Sequence, residues 1–149
     1  MRGRRESIGL TEPTARIVGL KRRDFAPAQK AILALHKAGS LDEPAVLEAA
    51  TRGNYETTVA ALSALSGVQI ATIDHLMCGE RHDPLLVLGR AIGFDWTTVR
   101  ALVALRPVDI KLSSRAYDDA RHNYERLLRP TAQRVLSFWR MRQPDMAAS

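Results

Sequence analysis

The sequence predicts an all-α fold: HEAT/armadillo-like stacked helix pairs, about seven or eight helices in a single domain. Three observations carry that expectation. First, no segment of the 149 residues alternates apolar and polar positions as a half-buried strand would. Second, residues 57–70 (TTVAALSALSGVQI) and 97–110 (TTVRALVALRPVDI) agree at nine of fourteen positions, at an offset of 40. A period near 40 with helical patterning marks paired-helix repeats, in which each pair stacks on a neighbour to cover an apolar face it cannot cover alone. Third, glycine and proline recur where such helices must stop and start. Gly53 matches Gly93, and Pro44 matches Pro84, each proline following an acid (Glu43, Asp83).

The elements follow in order. Residues 1–23 read as a basic, poorly ordered arm. Residues 26–37 (PAQKAILALHKA onward from Pro27) form a helix with Ile32 and Leu35 inward and Gly39 as its stop. Glu43 and Pro44 open the next helix: the carboxylate suits the N-terminal dipole, and proline loses nothing in the first turn. It runs to about Arg52, where Gly53 supplies a left-handed residue and Asn54 a cap for the helix after it. Val59, Leu62 and Leu65 then recur on one face until Gly67. Residues 69–78 form a further helix ended by Gly79. The second unit repeats the plan: Asp83-Pro84 to Ile92, Gly93, the cap Asp95, the stripe Val99, Leu102 and Leu105, and the stop Pro107. The repeat units thus lie near 43–70 and 83–110. The C-terminal helices, 113–142, start at Ser113 or Ser114 and carry Tyr117, Ala120, Tyr124, Leu127 and Leu128 on one face. Pro130 breaks or kinks them, and Val135, Leu136, Phe138 and Trp139 follow. Residues 24–142 are therefore the helical-repeat domain, and 143–149 a disordered tail.

Composition narrows the class. Hydrophobic residues at 46% and charged residues at 26% suit a globular chain and argue against a disordered tail. No apolar run reaches the ~18 residues of a membrane span. The basic N-terminus lacks the apolar core of a secretory signal. One cysteine rules out an intrachain disulfide and suits a reducing, cytoplasmic setting. The formal charge of +6 raises the question of nucleic acid. Its placement matters more than its size. Residues 1–23 carry net +5, residues 24–110 net −3 and residues 111–149 net +4. The ends, and not the repeat units, are electrostatically positive.

With the elements placed, a resemblance emerges. The run LSALSGVQIATIDHLMCGERHDPLLVLGRAIGFDWTTVRALVALR (62–106), with TAQRVLSFWRMR (131–142), resembles a bacterial domain-of-unknown-function family. The matching features are the Leu-Ser-Gly-Val turn, Leu88, Arg90, Ala91 and Gly93, the start at Trp96, Thr98 and Val99, and the terminus with Ala132, Gln133, Arg134, Phe138 and Trp139. The resemblance spans roughly residues 30–142. It implies an all-helical, HEAT-like fold, corresponding to the C-terminal portion of longer members. It implies no activity and no catalytic residue.

Four motifs bear on function. Residues 59–79 imitate a helix-turn-helix, with Gly67 in the turn and Ile73 and Leu76 inward. The would-be reading helix turns Gln69, Ile70, Thr72, Asp74 and His75 outward. It holds no Arg or Lys, so it lacks the chemistry that reads base edges and phosphates, and the 40-residue period explains its spacing without DNA. His75, Cys78 and His82 lie near one another, but one cysteine without a second ligand pair suits a small buried thiol better than a zinc site. Asp118 and Asp119 point apart on a helix and cannot act as a paired acid and base. No phosphate loop or HExxH is present. The expectation is a protein that is not an enzyme and takes no metal or cofactor. The basic C-terminal residues remain. Arginine forks suit carboxylates and phosphates, so the candidate interaction surface is Arg126, Arg129, Trp139, Arg140 and Arg142. The reading is a protein–protein interaction or regulatory scaffold module in the cytoplasm. Its partner is an unidentified protein, self-association through the amphipathic end is open, and no membrane is involved. The alternative is a nucleic-acid-binding regulator using the basic termini and the turn near Gly67.

Overall fold

The protein, seen in a computed structural model, is described over residues 23–108 and 111–141. Residues 1–22 of the expected arm, the tail and Arg142 lie outside the described residues, whereas Arg23, expected in the arm, is placed and pairs with Glu56 at 3.3 Å. Among those residues there are eight helices and no strand: α1 (Ala26–Lys37), α2 (Glu43–Thr51), α3 (Tyr55–Ser66), α4 (Ile70–Cys78), α5 (Asp83–Ile92), α6 (Trp96–Leu105), α7 (Ser114–Arg126) and α8 (Arg129–Met141). None is long and apolar enough to cross a membrane.

Local chemistry sets the boundaries. Asp42, extended, accepts the backbone N–H of Ala45 at 3.1 Å and so caps α2, with Glu43 and Pro44 in its first turn. Ser113 does the same for α7, accepting from Ala116 at 3.1 Å. Asn54 and Asp95 do occupy the N-cap positions of α3 and α6, but neither side chain makes a capping bond. A residue 52 positions away supplies the bond instead. Glu43 Oε2 accepts the backbone N–H of Asp95 at 2.9 Å and the hydroxyl of Thr98 at 2.6 Å. One carboxylate in the first turn of α2 thereby also caps α6. Pro130 sits at the second position of α8 and starts that helix; it does not kink a continuous one, because the chain has already left helical geometry at Leu127.

The 40-residue offset persists in burial. Thr58 and Thr98, Val59 and Val99, and Leu62 and Leu102 are buried in both units, while Leu65 and Leu105 are half-buried in both. The units meet reciprocally, α2 on α6 and α3 on α5. Around them α1 packs on α3, α7 on α5 and α6, and α8 on α5. The core runs from Ile32 through Val59, Leu62, Ile73, Met77, Leu88 and Leu102 to Tyr124 and Leu136. Some apolar residues expected inside are outside. Leu35 is 37% exposed, since α1 buries only the narrow face of Ala28 and Ile32, and Leu128, in the link before α8, is 68% exposed.

Helix α5 touches α3, α4, α6, α7 and α8, and so many neighbours fit only if its surface is low. Gly89 provides this. A Cβ there would stand 2.5 Å from Val99 Cγ2 on α6 and 3.5 Å from Tyr124 Oη on α7. Substituting Gly89→Ala is expected to destabilise the fold by about 1–3 kcal/mol through overpacking, in urea denaturation. Gly79→Ala, where the added methyl would make only ordinary contacts, is the comparison and should be near neutral.

Candidate interaction surface

The residues expected to form a contact surface lie on α7 and α8. Arg126 is exposed in the last turn of α7. Trp139 is half-buried and packs against the core beside Ala132 and Leu136, the two buried residues of α8. Arg129 and Arg140 do something the sequence does not announce. Arg140 Nε donates to the backbone carbonyl of Ser66 at 2.7 Å. Arg129 Nη2 donates to that of Ile92 at 3.3 Å. Ser66 and Ile92 are the last residues of α3 and α5.

Both contacts answer the same need. The last carbonyls of a helix have no partner within it and sit at the negative end of its dipole. A guanidinium there satisfies a carbonyl and neutralises partial charge at once. Glycine makes room. Gly67 and Gly93 end α3 and α5 in left-handed backbone, with φ of +77° and +99°. A Cβ at either would lie 3.1 Å from the arginine, Arg140 Nε at Gly67 and Arg129 Nη2 at Gly93. These glycines therefore turn the chain and leave a seat for a guanidinium.

Two further arginines act alike. Arg106, buried, donates from Nε to the carbonyl of Met77 at 3.4 Å and from Nη2 to that of Gly79, at the end of α4. Its burial pulls the guanidinium pKa below its ordinary value, although arginine stays charged. Arg90 Nη2 donates to the carbonyl of Tyr124 at 2.6 Å, in the last turn of α7. Its guanidinium also lies over the Tyr124 ring, 4.3 Å from the centroid. Among the described residues, then, the ends of α3, α4, α5 and α7 each receive an arginine from elsewhere in the chain. Arg90 and Arg106 were not singled out from the sequence. The only available signal was Arg106 standing between an apolar helix and Pro107, where a charge would otherwise be unexpected in a buried position.

Two tyrosines complete this framework. Tyr124 Oη donates to the carbonyl of Phe94 at 2.5 Å, and burial pushes its pKa up to about 12. Tyr55 Oη donates to Asp74 at 2.5 Å, with Arg23 over its ring at 4.1 Å, and burial raises its pKa as well. Asp74, expected to point outward from the would-be reading helix, is thus held by a neighbouring helix. Thr72, also expected outward, is buried. Cys78 is exposed, not buried as expected, with Sγ 3.7 Å from Tyr55 Oη and 3.8 Å from Asp74. Burial of the sulfur raises its thiol pKa, which opposes thiolate formation. His82 lies 3.6 Å from Asp83, and burial lowers its pKa. Among the described residues no three His, Cys, Asp or Glu side chains gather to hold a metal.

What α8 presents outward is an apolar row with basic neighbours. Leu128, just before it, is 68% exposed, Phe138 51% and Met141 75%. Arg134 is exposed between them, and residues 129–141 contain no acid.

Against known proteins, a family model described as "Uncharacterised protein conserved in bacteria (DUF2336)" matches residues 6–137. The chain belongs to that family. No curated protein and no solved structure matches it.

The arginine contacts predict stability. Arg106→Met should lower unfolding free energy by about 1.5–3 kcal/mol, the usual worth of a hydrogen bond to a charged donor. Arg140→Ala should have a smaller effect in the same direction, since Arg140 is more exposed. The raised Tyr124 pKa sets an alkaline limit. Below pH 10 the phenol is protonated in both folded and unfolded chains; between pH 10 and about 12 only the unfolded chain loses its proton. Stability should therefore fall as pH rises through that window. Tyr124→Phe should flatten the fall when melting temperature is followed against pH, leaving the part due to Tyr55.

Proposed function

We propose that this chain, a member of the DUF2336 family, is a non-catalytic protein–protein interaction module that acts in the cytoplasm through the outward face of α8. The observation that carries the reading is the exposed apolar pair Phe138 and Met141, one turn apart on α8, with Leu128 exposed just before the helix begins. Large exposed apolar side chains grouped at one end of a helix are the kind of surface that proteins use for contacts. The arginine contacts support it indirectly. Arg90, Arg106, Arg129 and Arg140 bind helix carbonyls of their own chain, so two cations of the basic C-terminal segment, Arg129 and Arg140, have an intramolecular role. Within the interaction surface, Arg126 and Arg134 flank the row, and Trp139 and Arg140 fix α8 in place beneath it.

The test compares wild-type protein with Phe138→Glu/Met141→Glu as bait for crosslinking and mass spectrometry in bacterial extract. A partner enriched by the wild type and absent from the variant is expected. Met141→Glu alone, at the more exposed position, should change stability by no more than about 0.5 kcal/mol, and melts of the double variant check that it stays folded. Identical capture by both baits would overturn the assignment of the surface. Steep loss of duplex DNA binding with salt would favour a nucleic-acid role instead, and turnover of a metabolite by the purified chain would overturn the non-catalytic reading.

A further inference from the structure

A second surface lies away from α8. Helix α1 packs on α3 and buries only Ala28 and Ile32 of its twelve residues. Between α1, α3 and the start of α4 a groove of about 560 Å³ remains open. Ile32 and Ala60, both buried, form its floor, and Ala64 and Ile70 its far wall. Leu33, 52% exposed, stands on its near rim. Lys30 and His36 line the same rim, and among the described residues no carboxylate lines the groove. Ala26, Lys30, Leu33 and His36 follow one another along a single face of α1, covering about 15 Å of helix axis. Among the described residues the geometry is that of a three-helix packing with two sides present.

We infer that this groove docks an amphipathic helix of another protein, one whose apolar row is flanked by carboxylates. The apolar floor takes residues at i, i+3 or i+4, and i+7 of the incoming helix. Lys30 on the rim selects its flank, by complementary charge and by repulsion of basic competitors. The chain's own segments are poor occupants on the same ground. Helices α1 and α8, which carry the exposed large apolar residues, contain no acid, so a second copy would set cation against cation. Residues 1–23, with seven basic residues against two acids, meet the same repulsion. This groove is independent of the α8 row, and either surface can fail without the other.

The probe is a fluorescent helical peptide with leucines on one face and glutamates on its flanks. Its control carries lysines in place of the glutamates. Anisotropy titrations of the full chain should show the acidic peptide binding at least about tenfold more tightly than the basic one. Leu33→Glu should abolish that binding. Lys30→Glu should weaken the acidic peptide and strengthen the basic one, while Phe138→Glu on α8 should leave both unchanged. Circular dichroism melts of each variant check that folding is retained; both groove positions are exposed. Equal binding of the two peptides would overturn the proposal, as would acidic-peptide binding that survives Leu33→Glu. Two other results would also overturn it by naming another occupant. Tighter peptide binding after removal of residues 1–22 would indicate the chain's own N-terminus. A dimer in analytical ultracentrifugation that dissociates on Leu33→Glu would indicate a second copy.

Discussion

The fold rests on how its helices end. A short helix leaves several carbonyls unpaired at its C-terminus, and with eight short helices among the described residues those groups are numerous. Glycine and local backbone bonds satisfy some of them. The ends of α3, α4, α5 and α7 receive arginines from distant parts of the sequence. Each contact joins two elements that share no local connection. Arg140 ties the far end of α8 to α3, and Arg129 ties its near end to α5. Arg106 ties the end of α6 to α4, and Arg90 ties α5 to α7. Helix α8 is thus held at both ends, which fixes the face it turns outward.

The negative ends of these helices have a counterpart at a positive one. Glu43, in the first turn of α2, reaches the exposed N–H and the hydroxyl at the start of α6. The same residue eases the dipole of its own helix and caps another. Because α2 lies on α6 and α3 on α5, this bond sits where the two 40-residue units meet. Gly89 lets α6 and α7 approach α5 closely at the centre of that arrangement. The reciprocal packing of the units therefore depends on one carboxylate and one missing methyl, as well as on the apolar stripes.

These contacts change the meaning of the chain's charge. A basic protein attracts phosphate only with cations that remain available. Here several guanidiniums serve carbonyls, one of them in a buried position. The basic groups that remain around α8 border apolar side chains, a pattern that suits a protein surface with acidic and apolar character. The groove beside α1 likewise sets an apolar floor beside a cation, Lys30.

The sequence by itself determined the class and most of the boundaries. Local signals were sufficient there: Pro44 and Pro84 start helices, Gly53 and Gly93 end them, Ser113 caps one, and the stripes Val59–Leu62 and Val99–Leu102 face inward. Each of those outcomes depends on residues within a turn or two, so it can be read along the chain. The burial of Thr72, the exposure of Leu35, Leu128 and Cys78, and the partner of Asp74 could not be read that way. They depend on which helix lies across from each residue, and among the described residues α1 and α8 bury only two side chains each. The roles of Arg90, Arg106, Arg129 and Arg140 belong to the same group. A guanidinium can serve a partner, solvent or a helix end equally well. Only the tertiary structure decided for the helix end, because only packing brings an unpaired carbonyl within reach of its fork.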